Sequence, residues 1–306
     1  MTGPRLIGLD WGTSSLRAML FGEGGVVLDR QAAPLGIMQV PDRAFAPVFA
    51  DITGRWRAET PGLPAIASGM IGSAQGWREV PYHRGPASLA DIAAGCVRVE
   101  TEDGAGVLLV PGLARSGSRP EVMRGEETQV LGALALRPEL RAGTLFVLPG
   151  THCKWVEVRR GRIEGFHTYM TGELFFILRA HSILGRPAKE AAAAPAADGA
   201  AFRRGLAAAR ETQDGIAPLL FSARTLVLSG QLPASDSLDY LSGLLIGDEL
   251  RCALPGDGRA LALIGERALC DRYRLAIAEF GIAEAPTVEG ATEAGLWQIA
   301  AAAGLT

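Results

Sequence analysis

Leu6-Ile7-Gly8-Leu9-Asp10-Trp11-Gly12-Thr13-Ser14-Ser15-Leu16-Arg17-Ala18-Met19-Leu20-Phe21 holds two apolar runs joined by a short polar segment. Arg5 to Leu9 reads as a strand ending at Asp10, and Leu16 to Phe21 as a second strand. Gly12 to Ser15 is turn chemistry. Glu23-Gly24-Gly25 then turns into a third strand, Val26 to Leu28, so the N-terminus reads as an antiparallel meander. Such a turn suits a phosphate ligand. Glycine lets the backbone approach, and the small hydroxyls of Thr13 and Ser14 add donors without bulk. Asp10 at the strand end can hold the water shell of Mg²⁺, which prefers one or two carboxylates plus phosphate. A plain Asp/Gly/Ser hairpin would look the same locally.

The layout recurs. Thr144 to Leu148 is a strand, Pro149-Gly150-Thr151-His152 a turn, Lys154 to Val158 a strand and Arg162 to Phe166 another. The copies share little beyond a Gly-Thr in the turn, so the expectation is a structural repeat without sequence repetition. Two such turns would grip a triphosphate from both sides. Lys154 reads equally as a phosphate ligand or a solvated strand residue. His152 and Cys153 are neighbours on a strand and point to opposite faces, which argues against a Cys–His dyad.

Helices are expected over Met123 to Arg137, Glu173 to Leu184 with Thr171 as N-cap, Leu238 to Leu250, the stretch around Leu269 to Phe280, and Ala291 to Ala303. Thr225 to Leu228 and Leu261 to Ile264 read as strands ending at Gly230 and Gly265. Ala191 to Ala201 reads as a linker or loop.

Two further segments carry chemistry. In Arg124-Gly125-Glu126-Glu127-Thr128-Gln129, two carboxylates open a helix, whose positive end favours their ionised form. Either could take a hydroxyl proton during phosphoryl transfer, or both could be ordinary first-turn acids. Arg124 beside them could grip a carboxylate at two points. Met70-Ile71-Gly72-Ser73 and Trp77 suit a pocket wall for a polyol, or a loop whose Trp fills the core.

Bulk properties exclude other classes. The 306 residues suit two domains, and 48% hydrophobic against 21% charged allows a large core. The net charge is -3 without a basic block, so neither nucleic acid nor an anionic membrane is an expected partner. Four cysteines are scattered without a C-x-x-C pair, which fits a reducing cytoplasm and no zinc or disulfide framework. No signal peptide is legible, and the longest uncharged stretch, Thr60 to Trp77, is broken by Pro61 and Pro64. A homodimer stays open, since neither an interface nor a heptad stretch can be read.

Six motifs occur in the order of one known family. They are Asp10-Trp11-Gly12, Gly69-Met70-Ile71-Gly72-Ser73, Val122 to Gln129, Pro149 to Val156, Met170-Thr171-Gly172-Glu173-Leu174 and Leu241 to Gly247. Together they resemble the 2-dehydro-3-deoxygalactonokinases of the actin-like ATPase superfamily. The resemblance implies an α/β protein of two ribonuclease H-like domains flanking a cleft. The expected division is 1–122 for a sugar-binding domain and 123–290 for a nucleotide-binding one, with 291–306 packing back on the first. It implies Mg·ATP-dependent phosphorylation of 2-dehydro-3-deoxy-D-galactonate at its terminal hydroxyl. Asp10, Gly12, Thr13, Ser14 and Arg17 match the first phosphate turn, with Asp10 also toward the metal. Gly150, Thr151, His152 and Lys154 match the second, and Gly265 the adenosine position. Glu266-Arg267 stands where the superfamily often has another small residue. Met70, Gly72, Ser73, Trp77, Arg124 and Glu126 fall to the sugar acid. Glu127 is the slightly favoured base over Glu126. Rival readings are a kinase of another sugar or sugar acid, and a nucleotide-gated binding protein without turnover.

Overall fold

The computed structural model describes every residue except 1, 2, 102, 103, 105, 192–198, 255 and 257. The linker expected over Ala191 to Ala201 falls for the most part outside the described residues. Contacts divide the chain into two compact units. The first is Met1–Phe146, Val156–Phe166 and Val288–Thr306; the second is Val147–Trp155 and His167–Thr287.

The chain opens with strands β1 (Leu6–Trp11), β2 (Leu16–Phe21) and β3 (Val27–Ala33), then helix α1 (Phe45–Glu59) and β4 (Ala65–Ser68). β1 to β3 form the expected antiparallel meander, with Asp10 opposite Arg17, and β4 runs parallel to β1. β3 extends to Ala33 instead of stopping at Leu28. Its alternating polar and half-buried residues pair with β2 along one edge, a pattern with too few apolar positions to stand out in sequence.

Next come β5 (His83–Arg84), α2 (Leu89–Ala94), β6 (Val97–Val99), β7 (Val107–Leu109), β8 (Leu113–Arg115), β9 (Glu121–Met123) and α3 (Glu126–Leu136). The first sheet has the order β3-β2-β1-β4-β7-β6. Trp11, Leu16 and Ala67 of this sheet and Phe45, Phe49 and Trp56 of α1 share one buried core.

After α3 come β10 (Gly143–Leu148), β11 (Cys153–Arg159), β12 (Arg162–Tyr169), α4 (Thr171–His181), α5 (Arg186–Glu190), α6 (Ala200–Glu211), α7 (Ala217–Leu220), α8 (Ser222–Leu228) and α9 (Ser237–Ala253). β13 (Ala260–Leu263), α10 (Arg267–Glu279) and α11 (Ala291–Ala302) complete the chain. The second sheet has the order β12-β11-β10-β13. Both sheets thus place their meander 3-2-1 and add the next strand beside its first member. This is the ribonuclease H-like arrangement, present twice.

Helix α11 lies against α3, β1 and β4. Gly132 of α3 faces the Ala291 carbonyl so closely that a Cβ there would stand 1.8 Å from it. The contact division therefore keeps α3 and most of β10 with the first unit, later in the chain than the expected boundary at 122. The connection is packing: an apolar helix face goes where its partner helix is, whatever motif it follows.

Two local expectations fail. Thr225 to Leu228 is helical, not a strand. A short apolar run does not distinguish the two periods, and here Ala223 is buried while Leu226 and Val227 pack beside α9. Thr171 does not cap α4; it is the first helical residue, and Met170 stands at the cap without a side-chain bond.

Candidate active site

In the first unit, the turn after β1 closes through Gly12 N–H donating to the Ser15 carbonyl at 2.9 Å. A segment the sequence did not single out supports it from below. Trp11 Nε1 donates to the Leu35 carbonyl at 2.8 Å, Ile37 N–H to the Gly12 carbonyl at 3.0 Å, and Met38 N–H to the Thr13 carbonyl at 3.3 Å. Gly36 makes this possible: a Cβ there would lie 2.3 Å from Ser14 N. The turn keeps Thr13 and Ser14 exposed.

Asp10 is half-buried, and Arg17 across the ladder lies 3.6 Å away. The Arg17 side chain is 66% exposed, so this is a solvated pair of small worth. Burial pushes the Asp10 carboxyl up from its ordinary range; Arg17 opposes this, while Glu293 and Glu126 add to it. An acid held up by burial and by neighbouring acids is short of positive charge.

Two glycines bring the other loops to Asp10. Gly69 has φ of +92° and would place a Cβ 2.8 Å from the Trp11 carbonyl. Gly125 has φ of +110°, and its Cβ would meet the Gly69 Cα at 3.4 Å. Neither site admits a side chain without strain. The end of β1, the loop after β4 and the start of α3 therefore meet backbone to backbone, which explains why Asp10 feels the charge of Glu126.

The two glutamates differ sharply. Glu127 is 0% exposed. Both its oxygens accept the Gly125 N–H, at 3.0 and 2.8 Å, and Oε1 also accepts the Thr128 hydroxyl at 3.0 Å. Burial, with Glu126 second, raises its pKa to about 7. Glu126 is half-buried, and its Oε2 accepts the Arg124 N–H at 2.9 Å. Glu127 is thus fully enclosed with its oxygens taken up at its own helix start, while Glu126 is only half-buried.

Arg124 is 8% exposed. Its Nη2 donates to the Val80 carbonyl at 2.8 Å, and its guanidinium lies over the Tyr82 ring at 4.3 Å. Among the described residues, Nε and Nη1 are buried without a hydrogen-bond partner. The Ser73 hydroxyl is likewise buried and unpartnered there. Gly72, next to Ser73 in the chain, abuts Arg124: a Cβ there would come within 2.9 Å of Arg124 Nη1. Met70 is half-buried at the start of this loop. Trp77 turns instead to Phe49, 5.7 Å between ring centres, and packs on the core of the first unit. Trp77 itself is half-buried. Val80 and Tyr82 were missed; their contribution is a carbonyl and a ring placed by tertiary packing, for which no sequence signal exists.

In the second unit, Gly150, Thr151 and His152 form the turn between β10 and β11. Helix α4 docks on it: Glu173 N–H donates to the Thr151 carbonyl at 2.9 Å, and Gly172 fits where a Cβ would be 2.2 Å from the Gly150 carbonyl. His152 is exposed and meets Glu173. Lys154 is buried, so its reading as a solvated residue is excluded. Beside the turn lies a cavity of about 260 Å³, lined by Gly150, Thr171, Gly172, Ser242, Arg272 and Tyr273 among others. Arg272 stacks on Phe202 at 4.0 Å and donates to Ser242 Oγ at 3.0 Å and Asp239 Oδ1 at 2.7 Å. Asp239, Ser242 and Arg272 were not singled out, because only α9 and α10 packing together assembles them. Gly265 follows β13, with the Pro149 carbonyl 3.3 Å from where its Cβ would be. Glu266 is taken up as the N-cap of α10, accepting from the backbone of Ala268 and Leu269, both at 3.0 Å. Those N–H donors hold its carboxyl below the usual range.

Comparison with known proteins gives this arrangement a family. The sequence profile of the 2-keto-3-deoxy-galactonokinases matches residues 10–299. The chain belongs to that family. A candidate 2-dehydro-3-deoxygalactonokinase of Rhizobium meliloti strain 1021 is 40% identical over 293 residues, 94% of each chain. The 2-dehydro-3-deoxygalactonokinase of Escherichia coli K12 is 36% identical over 303 residues, 97% of each. A crystal structure of a Sinorhizobium meliloti protein, described as a candidate for the same activity, superposes with a TM-score of 0.88 at 37% identity, covering 96% of this chain and 98% of that one. The named relatives are carbohydrate kinases, and the meander-plus-one sheet present twice is the α/β arrangement expected of two ribonuclease H-like domains. Among the described residues, no helix is long and apolar enough to cross a membrane.

Proposed function

We propose that the protein transfers the γ-phosphoryl group of ATP to the terminal hydroxyl of 2-dehydro-3-deoxy-D-galactonate, giving the 6-phosphate and ADP. The observation that carries the sugar-acid half is Arg124. A buried guanidinium with two unpaired nitrogens is costly by itself. A substrate carboxylate would satisfy it, and charge-assisted bonds of this kind are about twice as strong as neutral ones. The Ser73 hydroxyl beside Gly72 supplies a partner for a sugar hydroxyl, with Met70 at the loop's edge.

Glu126 is the proposed base. It is accessible, held by the Arg124 backbone, and lies in the field of Asp10. It accepts the proton of the attacking hydroxyl as the oxygen–phosphorus bond forms and the bond to ADP breaks. Glu127 fixes the helix start that presents it.

In the first unit, phosphate binding falls to the exposed Thr13 and Ser14 of the turn that Gly12 shapes, with Arg17 as a supporting cation; in the second unit, taken by itself, it falls to Gly150 and Thr151, with Lys154 as a supporting cation and His152 as a hydrogen-bonding partner. The nucleoside falls to the cavity beside Gly150, near Gly265. The residues present suit Mg²⁺: Asp10 is an acid short of positive charge, and among the described residues no group of three acidic, His or Cys side chains forms a protein cage. That is the donor set of a metal carried mainly by phosphate and water. When bound, Mg²⁺ would neutralise charge on the β- and γ-phosphates. All four cysteines are free thiols, which supports a cytoplasmic setting.

The test is ADP release by purified protein with Mg·ATP and each of several sugar acids. Turnover with 2-dehydro-3-deoxy-D-galactonate above its C4 epimer and above uncharged sugars is expected. Preference for another acid would overturn the substrate and leave the kinase reading; equal use of an uncharged sugar would overturn the role of Arg124.

A further inference from the structure

Glu249 in α9 is a buried carboxylate, 2% exposed, that the chemistry above does not use. Trp155 Nε1 donates to its Oε1 at 2.7 Å, and the Tyr273 hydroxyl to its Oε2 at 2.8 Å. The Thr171 hydroxyl also donates to Oε2. Burial pushes the Glu249 carboxyl up from its ordinary range, while donors from three separate elements pull the other way and fill its acceptor positions.

Those elements are the ones that shape the nucleotide half. β11, which carries Cys153 and Trp155, leaves the Gly150–His152 turn directly. α4, which begins at Thr171, docks on that turn through Gly172 and Glu173. α10 supplies Tyr273 to the cavity lining, and Thr171 lines the same cavity. Glu249 itself is not among the lining residues. We propose that Glu249 is a positioning residue for the nucleotide: it ties the strand leaving the phosphate turn to the two helices that flank the cavity, without touching the ligand. This rests on the reading of that cavity as the nucleoside site.

Glutamine and alanine separate positioning from bulk packing. In E249Q the amide oxygen still accepts from Trp155, while the hydroxyls of Thr171 and Tyr273 can turn to accept from the amide nitrogen. In E249A all the donors lose their acceptor. Steady-state kinetics on the full chain should show KM for ATP raised ~10-fold or more in E249A, with KM for the sugar acid within ~2-fold, and E249Q within ~3-fold of the parent throughout. Should E249A fail to fold, W155F decides. It keeps an aromatic ring of smaller size, removes one donor outside the cavity, and should raise KM for ATP by ~3-fold or more with KM for the sugar acid unchanged. An unchanged KM for ATP in W155F, or both KM values rising together in E249A, overturns the proposal. S242W, which fills the cavity, tests the underlying reading by calorimetric binding of Mg·ATP. If S242W binds like the parent, the cavity is not the nucleoside site and the proposal falls with it. If S242W loses binding and W155F keeps it, only the role of Glu249 falls.

Discussion

Glu127 receives the Gly125 backbone N–H on both of its carboxylate oxygens, and so spends its hydrogen-bonding capacity on the start of its own helix. Glu126, one residue earlier, is left facing the end of β1. Glu126→Gln should therefore lower kcat by at least ~100-fold, the usual worth of a general base, with little change in either KM. Glu127→Gln should cost less in kcat. The measurement is initial rate at saturating Mg·ATP and sugar acid; a larger loss in Glu127→Gln would reverse the assignment.

The same burial predicts a pH dependence of stability. The Glu127 pKa is raised to about 7 in the folded chain from 4.5. Between those values the folded state holds more protons than the unfolded one, so stability falls as pH rises through the window and levels above it. Each pH unit across that window is worth about 1.4 kcal/mol, so the loss is on the order of 3 kcal/mol. Urea midpoints at pH 5 and pH 8 should differ in the parent by more than they do in Glu127→Gln. Equal differences in the two proteins would mean that Glu127 is ionised throughout.

Arg124→Met keeps the length of the stem and removes the charge. Losing a charge-assisted contact of about 1.5–3 kcal/mol should raise KM for the sugar acid by roughly 10- to 150-fold, with KM for ATP unchanged. Thermal stability should hold or rise, because the charge and the two nitrogens without partners among the described residues leave the interior, outweighing the one bond to the Val80 carbonyl. A drop in melting temperature without a change in KM would make Arg124 a structural residue.

Gly36→Ala tests the support beneath the first phosphate turn. Its Cβ would stand 2.3 Å from Ser14 N and from the Thr13 carbonyl carbon, both backbone atoms, so the turn must move. The expected result is a rise in KM for ATP of ~10-fold or more with a modest fall in melting temperature, since misplacing reacting groups by about 1 Å costs on the order of 10²-fold. Parent-like kinetics would show that the turn tolerates displacement.

Strands β1 and β2 and helices α9 to α11 were legible in the sequence because their apolar residues follow a single period over several residues, and the glycine-bounded turns mark where each period breaks. β3 was legible only at its start and α8 was read as a strand, since one becomes half-polar beyond Leu28 and the other is a short apolar run that fits either period. Trp77 had two readings open in the sequence, and its packing on Phe49 comes from a helix far from it in the chain.

The sequence alone determined the doubled meander, the two Gly-Thr turns and the paired glutamates of a sugar kinase, because these depend on local backbone chemistry and on motif order. Only the tertiary structure decided which glutamate is accessible, that Arg124 and Ser73 are buried without partners among the described residues, and that Glu249 ties β11, α4 and α10 together. Burial and hydrogen-bond satisfaction are properties of what surrounds a side chain, and those surroundings come from segments far apart in the chain.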